Sequence, residues 1–345
     1  MSLWSYSNLH TDEGRRRGKG FGNELCDLLV VFGNDVIIFS DKYIKFNQTI
    51  DTIIAWKRWY KKAVRKSANQ LFGAENWLRN YKERIYVDPQ CTTRLPICIP
   101  DRDKIRVFRI AVALGVYEAC KNFFGGNSLG SLMVNSAIAG EEHYDHPFHI
   151  GHVNPSKGFV HVFDDFTLNA VLRELDTVSD FISYLVKREI FLSKNKPMIV
   201  AAGEEQLLSI YLTKLNQDGE HDFVLPGKSN ADFISFDEGF WESMVHNPQY
   251  IRKKEADRIS YVWDSLIERF AKYGGIYDES GSRYQDISML EQGLRIMASE
   301  PRIRRRQLAD ALGNLLENTP EGKGATRVVY SNDFPANAYV FLILE

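Results

Sequence analysis

The chain has 345 residues, of which 44% are hydrophobic and 26% charged, with a formal net charge of -2. That composition excludes a disordered polymer, and the near-neutral charge excludes a surface that attracts nucleic acid as a whole, so phosphate affinity must come from local basic clusters. No apolar run approaches the ~20 residues that cross a bilayer, and no apolar stretch follows Arg15, Arg16 and Arg17 as it would in a signal peptide.

The four cysteines, Cys26, Cys91, Cys98 and Cys120, form no C-x-x-C pair, which points to reduced thiols and a cytoplasmic protein. The length accommodates two domains. The polar stretch from Ser136 to Lys157, rich in His, Gly and Pro, is the expected boundary. This gives a first domain over residues 1–140 and an α+β accessory domain over 141–345.

Along the chain, the segment through Asn23 is rich in Gly, Arg and Ser and predicts a loop or poorly ordered arm. Two apolar runs follow, Leu28–Phe32 and Val36–Phe39, separated by Gly33-Asn34-Asp35. Gly and Asn tolerate positive φ, so the pattern predicts a β-hairpin. Both runs are apolar on each face, as in the interior of a covered sheet.

From Trp56 to Tyr81 the spacing becomes helical, with Trp56, Trp59, Tyr60, Ala63, Val64, Ser67, Leu71 and Leu78 on one side. The opposite side carries Lys57, Arg58, Lys61, Lys62, Arg65 and Lys66, with no acidic residue until Glu75. Ile105–Leu114 reads as a buried strand, with further strands at Ser131–Asn135 and Gly158–Phe163. The second half is mostly helical: Leu168–Leu192, Glu204–Leu215, Lys253–Tyr273 and Leu290–Leu316 have amphipathic spacing. The chain closes on apolar strands at Arg327–Tyr330 and Ala338–Leu344.

The chemistry concentrates between Gly22 and Lys42. There Glu24 and Asp27 precede the first hairpin run, and Ser40, Asp41 and Lys42 end the second. In a hairpin, Asp27 at the start of one strand lies beside Lys42 at the end of the other. These residues resemble the PD-(D/E)XK nuclease superfamily, in which an acid opens one strand and a second acid stands two positions before a lysine at the end of the next. The phrases ELCDLLVVFG and VIIFSDK also resemble a group of uncharacterised bacterial proteins. The superfamily resemblance covers roughly residues 22 to 115. The helix and the strand after the hairpin follow its core order, although the helix that usually precedes the hairpin has little room here.

The resemblance implies an α/β fold with a restriction-endonuclease-like mixed sheet flanked by helices. It also implies Mg²⁺- or Mn²⁺-dependent hydrolysis of DNA, in the manner of a restriction or phage-defence protein. Clustered carboxylates can hold a divalent ion that polarises a phosphoryl oxygen and activates water, while a lysine stabilises the developing charge. The implied catalytic set is Asp27, Lys42, Glu24, Asp41 and Gln70, with Asp27, Glu24 and Asp41 as metal ligands. Gln70 corresponds to the polar residue that members often carry on the helix, and it falls among the apolar positions of the helical wheel. Lys57, Arg58, Lys61, Lys62, Arg65 and Lys66 would meet phosphates, and a homodimer is a compatible assembly.

One position departs from the pattern. Two residues before Lys42 stands Ser40, and strict alternation aims Asp41 away from Lys42. Either a bulge re-aims Asp41, or Glu24 replaces the missing acid, or the protein is inactive and binds nucleic acid or a protein partner. Other features favour plainer readings. The histidines between His143 and His152 read as a packed loop, because Pro147 and Gly151 interrupt a helix. Gly125–Gly130 lacks the Lys-Ser/Thr of a phosphate loop, and Asp164-Asp165 and Glu204-Glu205 read as surface acids. Arg302, Arg304, Arg305 and Arg306 form a second basic patch, read equally as a solvated surface or as a phosphate contact.

Overall fold

The hairpin expected from the Gly-Asn turn organises the larger part of the protein. In the computed structural model, which describes residues 3–126, 128–193, 197–225, 231–273, 276–277, 283–284, 287–330 and 337–344, β2 (Asn23–Phe32) pairs antiparallel with β3 (Asp35–Tyr43). Gly33 takes the positive φ of 61° that the tight connection demands.

The opening segment is more ordered than its composition suggested. β1 (Ser5–Thr11) pairs antiparallel with β2, and a short helix, α1 (Glu13–Arg16), leads into the next strand. The ladder to β2 engages the residues ahead of the Gly-Arg stretch, and that stretch keeps its turns after α1. Adding β4 (Ile85–Tyr86), β5 (Arg106–Leu114) and β8 (His161–Phe163) gives a six-stranded mixed sheet in the order β4-β1-β2-β3-β5-β8. The β3–β5 and β5–β8 pairs are parallel.

The predicted helix packs across this sheet as α2 (Thr52–Tyr60), a π turn (Lys61–Arg65) and α3 (Lys66–Asn80). Its start is fixed by Asp51, whose carboxylate accepts the Ile53 and Ile54 amides at 3.0 and 3.1 Å. The π turn has a cause in the sequence. Buried residues recur as the pairs Ala55/Trp56, Trp59/Tyr60, Ala63/Val64 and Ser67/Ala68, a strict four-residue spacing. An α-helix repeats every 3.6 residues, so such a stripe would drift around the helix. A wider turn absorbs the excess and keeps every pair on the core. Trp56 and Trp59 are buried and stacked at 5.4 Å, and truncating either to alanine should cost about 3–5 kcal/mol.

A second sheet, β10-β9-β6-β7, is built from β6 (Met133–Ala139), β7 (His149–His152), β9 (Met198–Ala201) and β10 (Phe233–Phe236). The chain also forms α4 (Tyr117–Phe124), α5 (Thr167–Glu174), α6 (Val178–Leu192), α7 (Glu204–Thr213) and α8 (Phe240–Val245), with α7 against β9. Because β8 joins the first sheet, the larger compact unit runs past residue 140, to Leu175 and again over Phe181–Met244.

The smaller unit comprises Asp176–Asp180 and the described residues from Val245 to Leu344. It contains helices α9 (Pro248–Asp257), α10 (Tyr261–Tyr273), α11 (Ile287–Ser299) and α12 (Arg302–Asn318). Residues 276–277 and 283–284 pair as β11 and β12, and β13 (Ala325–Tyr330) pairs with β14 (Ala338–Ile343). The continuous Leu290–Leu316 pattern is broken at Pro301, which precedes α12. Its arginines serve the unit's own packing. Arg302 reaches Asp176 at 2.9 Å and Asp264 at 2.7 Å, Arg305 reaches Asp264 at 2.5 Å, and Arg306 reaches Asp257 at 3.1 Å. Both Arg302 and Arg305 are buried, which removes them from the expected basic surface patch.

The acid pairs expected at the surface are also structural. Asp164 is buried and accepts the amides of Leu132, Phe166 and Thr167, while Asp165 accepts those of Gly115 and Val116. Glu204 holds the buried Arg188 through two bonds of 2.5 and 2.7 Å. Burial pushes the Glu205 carboxyl up to about 8. Residue pairs of like charge look solvated in sequence; here the fold supplies their partners from segments far along the chain.

Glu205 sets a pH dependence. In the unfolded chain it ionises near the ordinary 4.5, and in the fold near 8, so between those values folding takes up a proton and stability falls as pH rises. Glu205→Gln keeps the shape and removes the ionisation. In urea melts from pH 5 to 8 the variant should gain on the wild type steadily as pH increases, since other groups are common to both. Parallel stability curves would show that Glu205 titrates normally.

Candidate functional site

The site lies where the β2–β3 ladder ends. Pairing runs from Phe32↔Asp35 to Leu28↔Phe39. One step further, the Asp27 carboxylate accepts the Asp41 amide at 2.8 Å, so a side chain does the work of a main-chain carbonyl. Asp27 is thereby oriented by the strand opposite it. By alternation Asp27 shares a face with Leu29, and Ser40 and Lys42 share one with Ile38; Leu29 pairs with Ile38, and both are in the core under the helix. Asp27, Ser40 and Lys42 therefore line the same face of the sheet.

Gln70 descends on them from α3. Its Oε1 accepts the Ser40 hydroxyl at 3.1 Å and the Lys42 ammonium at 2.9 Å. The inward placement of Gln70 agrees with its position on the helical wheel. On β5 the neighbours of Ser40 and Lys42 are Ala111 and Ala113, both fully buried.

Glu24 joins by a bulge. Leu9 pairs with Cys26 and His10 with Glu24, leaving Leu25 as an extra residue in β2. An inserted residue inverts the facing of everything before it, which turns Glu24 to the side of Asp27. The carboxyl of Glu24 is raised above its ordinary value, first by partial burial and then by the neighbouring Asp27, with Lys42 opposing.

No bulge re-aims Asp41. Its strand stays in register with β5 from Asp35↔Arg106 to Tyr43↔Leu114, so the side chain keeps the face opposite Lys42. Partial burial and the Asp27 charge still raise Asp41, with Lys42 again opposing. Asp41 thus shares the electrostatics of the site and contributes its amide, but its carboxylate lies across the strand.

The expected metal ligands are hard oxygen donors, suited to a divalent cation such as Mg²⁺. Glu24 and Asp27 supply donors of that kind, with the charge of Asp27 acting on Glu24. Among the described residues, no three His, Cys, Asp or Glu side chains are grouped as they would be around a metal ion.

The basic residues stand apart from the acids. Lys57, Arg58, Lys61, Lys62, Arg65 and Lys66 are exposed on the outer side of the long helix. Three of them converge on Tyr144, which follows the expected boundary and carried no functional signal in sequence. The Lys57 and Lys61 ammoniums each stand 5.0 Å from its ring centre, and the Arg65 guanidinium stands 5.8 Å away and donates to its hydroxyl.

The histidine run is architectural. His143 is buried against Tyr60 at 4.7 Å, its Nδ1 bonds the Gly140 carbonyl, and its Nε2 accepts the Gly151 amide. Burial lowers it to about 4, consistent with the neutral ring that this acceptor role requires. In the Gly125–Gly130 stretch, Asn127 lies outside the described residues.

No known protein family, curated protein or solved structure matches the chain. Among the described residues, no helix is long and apolar enough to cross a membrane.

The electrostatics of the acid pair are directly measurable. Because the charge of Asp27 helps to raise Glu24, Asp27→Asn should move the Glu24 titration to lower pH, read from side-chain carboxyl shifts by NMR. An unmoved Glu24 would mean that the two carboxylates do not interact.

Proposed function

We propose that this chain is a divalent-metal-dependent nuclease of the PD-(D/E)XK type that hydrolyses DNA phosphodiester bonds, in a restriction or phage-defence setting. The observation that carries the reading is the meeting of Glu24, Asp27 and Lys42 under Gln70 at the open end of the β2–β3 hairpin. The succession of antiparallel hairpin, long helix and a strand parallel to β3 supports a restriction-endonuclease-like core.

In this proposal Glu24 and Asp27 hold Mg²⁺ or Mn²⁺, with Asp41 adding negative potential from behind the strand. When bound, the ion supplies an electrophile for a phosphoryl oxygen and a more acidic water. Lys42, positioned by the Gln70 carbonyl, offers a fixed positive charge to the phosphate as negative charge develops. The exposed lysines and arginines of the long helix supply non-specific affinity through counterion release.

A second reading draws on one observation: the position of the usual acid holds Ser40, and its hydroxyl is engaged with Gln70. With only two carboxylates directly paired, the same scaffold would bind nucleic acid or a protein partner without cutting it.

Cleavage of plasmid and linear DNA with Mg²⁺ or Mn²⁺ separates the two. On the nuclease reading, Asp27→Asn and Lys42→Ala each abolish cleavage and leave thermal stability nearly intact, since both side chains stand at the open end of the hairpin and their loss leaves no core cavity. Ser40→Glu restores a third acid and should tighten Mn²⁺ binding in calorimetry. A wild type that cuts no DNA or RNA, together with a Ser40→Glu variant that gains neither metal nor cleavage, would leave only the binding reading.

A further inference from the structure

We infer that the three cations gathered over Tyr144 form a discrete phosphate-binding subsite for a nucleic-acid backbone, distinct from the general positive charge of the helix. The inference rests on the nucleic-acid part of the proposed function but not on cleavage. Six basic residues lie between Lys57 and Lys66, yet only Lys57, Lys61 and Arg65 are drawn to a common point.

That point is built into the fold. The 3₁₀ turn Gly140–Tyr144 docks on the first half of the helix. Trp56 donates its indole N–H to the His143 carbonyl, Tyr60 stacks on the His143 ring, and Tyr60 and Tyr144 meet edge to face at 5.9 Å. Tyr144 is consequently 7% exposed, a fixed aromatic platform beneath three cationic side chains. The ring's negative face attracts each cation, and the Tyr144 hydroxyl accepts from Arg65. The π turn at Lys61–Arg65 lies within the same stretch, where such turns are frequent at functional sites.

Charge balance identifies the ligand class. From Thr52 to Ala74 the helix has no acidic residue, and the ion pair recorded at the cluster is Arg65 with Glu141 at 3.3 Å, whose side chain is 78% exposed. Two ammoniums and a guanidinium around one ring hold more positive charge than that acid offsets, so the complement is a polyvalent oxyanion. Guanidinium and ammonium groups recognise phosphate by charge-assisted hydrogen bonds.

Position favours a backbone phosphate over a free one. Arg65 and Lys57 are five and thirteen residues from Gln70 along a continuous helix, roughly 7 and 20 Å at the helical rise. That axial span corresponds to a few nucleotides of backbone, with the cluster on the outer side of the helix and Gln70 on the side that faces the sheet.

The test uses the metal-free full chain in EDTA and fluorescein-labelled single-stranded and duplex DNA, with affinity followed by anisotropy across a salt series. Two variants remove equal charge: Lys57→Gln/Lys61→Gln/Arg65→Gln and Arg58→Gln/Lys62→Gln/Lys66→Gln. Each is first matched to the wild type in its thermal melt. The first should lose affinity about tenfold or more and reduce the salt slope by two to three, at about 0.9 per duplex phosphate contact. The second should change both far less. Tyr144→Phe, which keeps the ring, should show an intermediate loss through Arg65.

Equal losses in the two triple variants would overturn the subsite while leaving nucleic-acid binding intact. A wild type that binds no DNA would remove the nucleic-acid reading and the subsite with it. Inorganic phosphate that displaces DNA far better than chloride of equal ionic strength, with direct saturable binding lost in the first variant, would assign the cluster to free phosphate and overturn the backbone assignment.

Discussion

The long helix must keep one stripe on the sheet although its buried residues repeat every four positions, and much of the larger unit follows from how that mismatch is met. Without the π turn, the tryptophans at one end and Leu71, Ala74 and Leu78 at the other could not face the same core. Because they do, Gln70 is held over the end of β3 while Trp56 and Tyr60 receive the turn that carries Tyr144. The helix thus connects two polar regions without belonging to either. Its apolar packing supplies the rigidity, and the polar groups inherit their positions from it.

The acidic site obeys a different constraint, the ending of a strand ladder. Where β2 and β3 stop exchanging main-chain hydrogen bonds, an amide must find another acceptor. The Asp27 carboxylate takes that place at the Asp41 amide, so a residue with a chemical role also has a structural one. A one-residue bulge in β2 then sets Glu24 beside Asp27. The Glu24 and Asp41 carboxyls are raised first by partial burial and then by the charge of Asp27 beside them.

Much of this was legible in the sequence, and the limits have physical causes. The Gly-Asn turn, the doubly apolar runs and the helical spacing predicted the hairpin, the long helix and the strand at Ile105–Leu114, since each depends on local chemistry. Gln70 was legible because a polar residue on an apolar stripe must have a polar partner. The bulge at Leu25 was not, because it arises from the register with β1, a segment whose composition reads as a loop. Nor was the burial of Asp164, Glu204 and Glu205. Their partners, among them Leu132 and Arg188, lie distant in sequence, and only the folded chain brings them together. Tyr144 escaped notice for the same reason: its role depends on what docks against it.

The two hydrogen bonds accepted by Gln70 also bear on how this site could change over time. A carboxylate at position 40 would meet the Gln70 oxygen as one acceptor against another. Rotation of the amide by half a turn would present its NH₂ group instead, and the oxygen and nitrogen ends are nearly the same size. Glutamine therefore suits a hydroxyl or an acid beneath it without repacking of α3, whereas Leu or Glu at position 70 would suit at most one of them. Exchange of Ser40 for an acid would thus keep the hydrogen bonding of Gln70 at position 40 while asking for space around a fully buried residue and a new acceptor for the Lys42 ammonium.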